Sequence, residues 1–332
     1  MKNKLNKKFQ KVILESTGAV SFSVIEVIQT LWSGYGEILR LKLEGSSHKQ
    51  VVVKHVQFPT KAKHSRGWST NLGDRRKRRS YEVEMAWYTH WAGKCTSACR
   101  VPHCFAHTTE GTEVLMVLED MDESGYWVRK QSLDFTGICT VLDWLANFHA
   151  TFLGATPSAD KETLWKVGTY WHLDTRPEEL KVMKEGSLKR AAGKIDMALK
   201  NAHFQTFVHG DAKLANFCFQ KNEEKVCAVD FQYVGQGVGM KDVAYFVGSC
   251  LQEQECEAME GEILNYYFRE LTSVLKQNRP EIDCQALEEE WRNLYPVAWA
   301  DFHRFLKGWS PGHWKINSYS ERVSQAVANR FL

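Results

Sequence analysis

The sequence predicts an α+β protein of two unequal lobes, a small β-rich first lobe and a larger helical second lobe, with a cleft between them. Three observations lead there. Residues 24–56 alternate apolar and polar positions in the manner of strands. Beyond about residue 120 the apolar residues fall at three- and four-residue intervals, as amphipathic helices require. Within the helical half a polar stretch, VHGDAKLANF at 208–217, follows two apolar residues and packs His209, Gly210, Asp211, Lys213 and Asn216 into eight positions. The boundary falls near residue 120, which gives lobes of 1–120 and 121–332. A chain of 332 residues, 43% of them hydrophobic, is long enough to bury a core in each.

SVIEVIQTLW, EILRLKLEG and SSHKQVVVKHVQF carry β-branched and aliphatic residues broken by the turn SGYG and by a second glycine, the pattern of an antiparallel meander. Between Pro59 and Arg79 stand eight Lys or Arg residues against the single Asp74, and Gly67, Asn71 and Gly73 break any helical period, so a mobile basic loop is expected there. SYEVEMAWYTHW has helical composition, and TEVLMVLEDM reads as a buried strand with a polar exit. In SLDFTGICTVLDWLANFHATFLG the residues Ile138, Val141, Leu142, Leu145, Phe148 and Phe152 keep one face of a helix. VCAVDF is a short strand ending in Asp230, and KDVAYFVGSCL, EGEILNYYFRELTSVL and ALEEEWRNLYPVAWADFHRFLKGW follow as helices.

Composition narrows the function classes. Charged residues nearly balance to a formal +3, which gives no reason to expect nucleic acid as a partner. The start is basic, but its apolar run VIL is too short for a signal peptide or a membrane span, so a cytoplasmic protein with no membrane partner is expected. Nine singly scattered cysteines fit a reducing compartment better than a disulfide framework. Cys95, Cys99, His103, Cys104 and His107 match no standard zinc spacing. The oligomeric state is left open.

The chemistry is carried by an ordered set. Asp211 and Asn216 stand at D-x-x-x-x-N, an interval that puts a base and a metal ligand beside one phosphoryl group. Asp230 follows at the end of the next strand, in DFQ where a metal-binding DFG would stand. Lys54 ends VVV, and Glu82 and Glu84 follow on a predicted helix, as a phosphate-pairing lysine and its carboxylate require. Gly34 and Gly36 occupy a hairpin turn before EILRL. Singly, each has an ordinary reading: a turn, a solvated lysine, a helix cap. Their order on the expected elements is what distinguishes them.

VHGDAKLANF, with VDFQYVGQGVGMKDVAYFVGS, LEDMDESGY and LANFHATF, resembles the aminoglycoside phosphotransferase and choline kinase superfamily, particularly its ecdysteroid-kinase-like branch. The likeness runs from about Ser33 to Gly248; the tail after 250 matches only in helical character. It implies a bilobal protein-kinase-like fold, ATP and Mg²⁺ as cofactors, and a small hydroxyl compound as acceptor. By position it makes Asp211 the group that orients the acceptor hydroxyl and takes its proton, and Asn216 and Asp230 the metal ligands. Lys54 would bind the α- and β-phosphates. Glu84 would be its partner, because the family helix places a glutamate four residues before a tyrosine, here Tyr88; Glu82 is the reserve choice. Backbone around Ser33, Gly34, Tyr35 and Gly36 would cover the phosphates, and residues 118–121, with Glu119 and Met121, would supply the adenine-binding hinge. Asp242 would buttress the catalytic loop through backbone hydrogen bonds.

Some positions depart from that pattern or carry two readings. The glycine loop lacks its third glycine. Gln232 in place of glycine is expected to restrict the backbone after Asp230, since glutamine tolerates positive φ poorly. Lys213 either reaches the transferring phosphoryl group or points into solvent. His149 reads as a packed core histidine. Trp291, Tyr295, Trp299, Phe302, Phe305, Trp309, Trp314 and Tyr319 form either a helical core stripe or an aromatic wall for an apolar or cationic acceptor, with Asp301 and His303 either touching that acceptor or exposed. The basic stretch would order as a flap over an anionic group or remain a solvated connection. The alternatives to a kinase are a nucleotide-binding protein without turnover and a binder of anionic surfaces through the basic residues 61–79.

Overall fold

The computed structural model describes residues 5–31, 34–58, 71–157 and 164–332. The chain opens with helix α1 (Lys7–Thr17), then runs through the meander β1 (Ser21–Thr30), β2 (Gly36–Glu44) and β3 (Gln50–Gln57). Helix α2 (Asn71–His90) follows, and then the hairpin β4 (Cys104–Glu110) and β5 (Glu113–Glu119). The five strands make one antiparallel sheet in the order β1-β2-β3-β5-β4.

Successive side chains of a strand point to opposite faces, and β3 uses both. Val51 and Val53 face α1, whose Phe9 and Ile13 are buried against Leu39, Leu41 and Val117. Asn6 caps that helix, its Oδ1 accepting the Phe9 N–H at 2.8 Å, and Gly18 ends it at φ +65°. Val56 lies on the other face, in a cluster with Tyr35, Tyr81, Val114 and Met116, so the same alternation turns Lys54 toward α2.

The second lobe comprises α3 (Phe135–Thr151), α4 (Pro177–Val182), α5 (Ser187–Lys200), α6 (Met240–Cys250), α7 (Glu253–Asn278), α8 (Cys284–Trp309) and α9 (Ser318–Phe331). Between α5 and α6 come β6 (Thr206–Val208), β7 (Phe217–Phe219), β8 (Val226–Ala228) and β9 (Gly235–Gly237), paired antiparallel as β6 with β9 and β7 with β8. The two ribbons clamp both ends of residues 209–216. Asp134 caps α3, its Oδ1 accepting from Gly137 N at 2.8 Å, and the face forecast from Ile138 to Phe152 is buried. Trp87 of α2 stacks on Phe231 at 4.7 Å with the rings 12° apart, and both pack on Phe148. Thus α2 is glued to the second lobe as well as to the sheet.

One expectation needs correction. Residues 71–79 are helical and belong to α2, whereas a loop was expected through Arg79; Gly73 is tolerated because the basic side chains find partners. Arg76 Nη1 donates to Thr175 O at 2.7 Å, Lys77 Nζ to Gln232 Oε1 at 2.8 Å and Arg78 Nε to Asp74 Oδ2 at 2.7 Å. The rest of the expected loop, 59–70, lies outside the described residues. Cys104 and His107 lie in strand β4, and all nine cysteines are free thiols. Among the described residues no helix is long and apolar enough to cross a membrane.

Candidate active site

The loop after β6 is shaped by Asp242 of α6. This wholly buried carboxylate accepts from His209 N at 2.5 Å on Oδ2 and from Gly210 N at 3.0 Å on Oδ1. His149 completes its surroundings, with Nε2 3.2 Å from Oδ2 and Nδ1 2.7 Å from the Tyr267 hydroxyl. The expected buttress is therefore present, and His149 is a packed histidine within it. Gly210 has φ +78°, and a Cβ there would lie 2.1 Å from Tyr233 O, so only glycine lets the loop pass the turn that precedes β9.

This loop delivers Asp211, Lys213 and Asn216 to one place. Asn216 Nδ2 donates to Asp211 O at 2.8 Å and to Asp211 Oδ2 at 3.1 Å, while Lys213 Nζ donates to the same Oδ2 at 2.8 Å. Lys213 thus brings its ammonium onto Asp211 while its side chain stays partly exposed. Burial lowers its pKa, but Asp211 and then Asp230 outweigh that and raise it. Asp211 Oδ1 is buried and has no hydrogen-bond donor within 3.5 Å among the described residues. The Tyr245 hydroxyl lies near that carboxylate: burial, Tyr170 and Asp211 together push the phenol pKa well up. One carboxylate oxygen is thus pinned by two donors while the other has none.

The second half of the site comes from the other elements. Lys54 is buried and donates to Glu84 Oε2 at 2.7 Å and to Asp230 Oδ1 at 2.9 Å. Burial opposes the ammonium, yet Asp230 and Glu84 raise its pKa above the usual lysine value. Glu84 is pushed up by burial and drawn back by Lys54, and Asp230 is held below the usual carboxylate range, burial notwithstanding, by Lys54 and Lys213. Glu82 is exposed and pairs with Arg79 at 3.2 Å, which removes it as the lysine's partner.

The DFQ segment does not behave as expected. The left-handed residue is Asp230 itself, at φ +70°, and Gln232 is not among the positive-φ positions. Gln232 is instead a connector. Its Nε2 donates to Asp230 Oδ1 at 2.6 Å, and its Oε1 accepts from Lys77 Nζ at 2.8 Å and Ser80 Oγ at 3.0 Å. Lys77 belongs to no motif, and the sequence marks Gln232 only as the departure from glycine in DFQ, with no sign that its amide would join Asp230 to α2.

The turn before β2 is tightly tied. Gly34 N donates to Leu31 O at 3.2 Å, Leu31 N to Gly36 O at 2.8 Å, and Gln57 N to Tyr35 O at 2.8 Å. A Cβ on Gly36, at φ +123°, would lie 2.0 Å from His55 O. The Tyr35 ring is buried toward α2, its hydroxyl donating to Asp74 Oδ1 at 2.7 Å, and Ser33 lies outside the described residues. At the end of β5 the Glu119 carboxylate is engaged by Arg100 at 2.5 and 2.6 Å and by Ser124 Oγ at 2.6 Å. That leaves backbone, not the glutamate side chain, to meet a base. Met121 is buried with Tyr126, Cys218 and Cys227.

The aromatic tail divides. Trp291, Tyr295, Trp299 and Tyr319 belong to the main core, while Phe302 and Phe305 cluster with Trp171 and Tyr245, beside Asp211. Asp301 and His303 are both buried, so neither is exposed. Asp301 is taken by Trp171 Nε1 at 3.0 Å and Arg304 Nη2 at 2.8 Å, and His303 Nε2 lies 3.4 Å from Glu321. Among the described residues the one cluster of three His, Cys, Asp or Glu side chains close enough to share a metal is His172, Asp174 and Asp196, but Lys200 Nζ sits on both carboxylates at 3.1 and 2.8 Å. That ammonium already supplies the positive charge.

A carboxylate with an unpaired oxygen, an adjoining amide and a lysine–carboxylate pair reaching a second aspartate invite comparison with known phosphotransferases. The ecdysteroid kinase-like family model matches residues 35–162 and 167–279. The chain belongs to the ecdysteroid kinase-like family. As an ecdysteroid kinase-like protein it is a small-molecule kinase. No curated protein sequence matches it. Among solved structures, the microcompartment-associated aminopropanol kinase is similar at a TM-score of 0.55 and 15% identity, covering 97% of this chain and 94% of that one. The amicoumacin kinase hAmiN, in complex with AMP-PNP, Ca²⁺ and Ami, gives 0.54 at 12% identity over 97% and 92%. The ternary complex of streptomycin, ATP and APH(2")-IIa gives 0.50 at 12% over 97% and 99%. At these identities the likeness is one of fold, and the ecdysteroid kinase-like chain has the bilobal kinase-like α+β architecture.

Proposed function

We propose that the chain is an ATP- and Mg²⁺-dependent phosphotransferase that acts on a hydroxyl of a small molecule, with a nucleotide-binding lobe over residues 1–120 and a catalytic, acceptor-binding lobe over 121–332. One observation carries the reading. Lys54 bridges Glu84 and Asp230 across the cleft, and Asp230 shares the field of Lys213 with Asp211, whose Oδ1 is unpaired.

The residues present fit the groups this reading requires. Asp230 and Asn216 would hold Mg²⁺: the aspartate is kept ionised, and Asn216 spends its amide N–H bonds on Asp211, which leaves Oδ1 as its ligand atom. A bound magnesium ion neutralises charge on the phosphate oxygens as the phosphoryl group moves. Lys54 would pair with the α- and β-phosphates, oriented by Glu84. Backbone of the Gly34–Gly36 turn and of residues 118–121 would meet the phosphates and the adenine. Asp211 Oδ1 takes the acceptor's proton as the oxygen–phosphorus bond forms and the bond to the departing ADP breaks. Lys213, fixed on Oδ2, holds the carboxylate in place and adds positive charge where the phosphoryl group passes. The fold shared with an aminopropanol kinase and with APH(2")-IIa, which binds streptomycin and ATP in one complex, supports this reading. The nine free thiols fit a cytoplasmic setting.

The test is a thermal-shift titration with millimolar ATP, with and without Mg²⁺, joined to an ATP-consumption screen over hydroxylated metabolites. A magnesium-dependent rise in Tm is expected. Asp211→Asn should lower turnover by roughly 10²-fold or more with nucleotide affinity nearly unchanged. Absence of any magnesium-dependent shift, or full turnover by the variant, would sink the assignment.

A further inference from the structure

The loop between α8 and α9 carries a residue that no motif singled out. Lys315 N donates to His313 Nδ1 at 3.2 Å, and Lys315 O accepts from Ser320 Oγ at 3.0 Å, so its backbone is fixed at the start of α9. Its ammonium makes no hydrogen bond or ion pair among the described residues. Rings hold it: Nζ lies 4.7 Å from the centroid of Tyr245 and 5.5 Å from those of Phe302 and Trp314.

Those rings belong to the acceptor side of the proposed site. Tyr245 and Tyr170 share a hydrogen bond at 3.1 Å between their hydroxyls, and Tyr170 N donates to Gly210 O at 3.2 Å. The hydroxyl end of Tyr245 meets Asp211 while its ring face meets Lys315. The ammonium therefore sits one ring away from the base. Burial lowers its pKa to about 8, with Asp211 acting in the opposite direction. Lys213 adds a second positive charge in the same field.

An aromatic cluster beside a carboxylate is the kind of place where an alkylammonium group binds. Here the chain's own ammonium occupies it. We propose that Lys315 is a specificity-determining residue of the acceptor site, one that fills the cation-binding position of the Tyr245, Phe302 and Trp314 rings, so that the enzyme takes alcohols with no positive charge and turns away amino and quaternary-ammonium alcohols. This rests on Asp211 being the base that meets the acceptor. A cationic alcohol approaching Asp211 must displace or face Lys315 and Lys213, and like charges in such a desolvated place repel strongly. An uncharged alcohol with an apolar body keeps the ring contacts without that penalty.

The test compares two alcohols of one shape that differ in charge, choline and 3,3-dimethylbutan-1-ol, for binding to the full chain by calorimetry. The wild-type protein is expected to bind the neutral alcohol at least about ten-fold more tightly than choline. Lys315→Ala should shift that ratio toward choline by about ten-fold or more, and Lys315→Arg should keep the wild-type ratio. Equal affinities in the wild type, including no binding of either, or a preference for choline, would overturn the proposal. So would an unchanged ratio in Lys315→Ala. If Lys315→Ala lacks a cooperative thermal transition, the wild-type ratio and Lys315→Arg decide the matter. Nucleotide binding is read separately by the magnesium-dependent Tm shift, so loss of the kinase reading and loss of the Lys315 reading give different results.

Discussion

Asp230 adopts a left-handed backbone at φ +70° and accepts a hydrogen bond from Gln232 Nε2 at 2.6 Å. Aspartate tolerates this conformation better than most side chains. The segment therefore needs no glycine after Phe231, and the freed position carries a side chain that ties Asp230 to Lys77 and Ser80 of α2. In this chain the proposed metal ligand is oriented by the helix that also presents Glu84.

Gln232→Ala removes that tie. It should cost about 2 kcal/mol of stability in urea denaturation, since hydrogen bonds to charged groups are lost on both ends of the amide. The concentration of divalent cation needed for half-maximal turnover should rise. An unchanged metal requirement would leave Gln232 a purely structural connector.

The Lys54 and Glu84 pair is buried on both sides, so its two halves should not behave additively. Lys54→Met strands two carboxylates and should destabilise by about 3–5 kcal/mol. Adding Glu84→Gln should recover about 1–3 kcal/mol of that loss without restoring activity. A double variant as unstable as the sum of the singles would contradict direct coupling, and a double-mutant cycle by urea denaturation measures it.

Asp242→Asn tests the buttress. One carboxylate oxygen becomes an NH₂ that faces the backbone N–H of His209 or Gly210, leaving a buried donor unpaired. A loss of about 1–3 kcal/mol is expected. Turnover should fall through misplacement of Asp211, while the Tm rise on adding ATP and Mg²⁺ persists.

Much of this arrangement is legible from residue order alone. VHGDAKLAN, Lys54 after VVV, Glu84 and Asp242 stand on the elements that bring them together, because strand alternation and loop spacing are local properties. The misses have physical causes. α1 is hidden by its lysines, since Phe9 and Ile13 are its only fully buried apolar residues and the Asn6 cap is the other signal. The first turns of α2 look unable to hold a helix until Thr175, Gln232 and Asp74 are brought up against Arg76, Lys77 and Arg78, which only the folded chain does. β4 is a polar edge strand. Lys315 has no motif at all; its place depends on three rings drawn from two helices and a loop.

Away from the cleft, Asp196 offers a pH test. Burial favours its protonated form, but His172 and Lys200 overcome this and hold the carboxyl at about 2, against an ordinary 3.8. A depressed carboxyl pKa contributes stability above its unfolded value that disappears as pH falls through the folded one. That window runs from about 4 down to about 2 and is worth roughly 2 kcal/mol. Asp196→Asn should remove this part of the acid limb of the stability curve and leave the protein less stable at pH 7. Urea midpoints at pH 7, 4 and 2.5 measure both effects.

The contact between Lys54 and Asp230 joins positions 176 residues apart. Such a pairing closes late, since a long stretch of chain must first be organised for the ends to meet. Strands β1 to β3 and the helical half can each collapse around their own apolar residues with the lysine and the aspartate still far apart. Catalytic competence is thereby a report on assembly. In refolding from urea, recovery of phosphotransfer should lag behind the quenching or blue shift of tryptophans such as Trp144 and Trp291, and the length of that lag is the time the halves take to find each other.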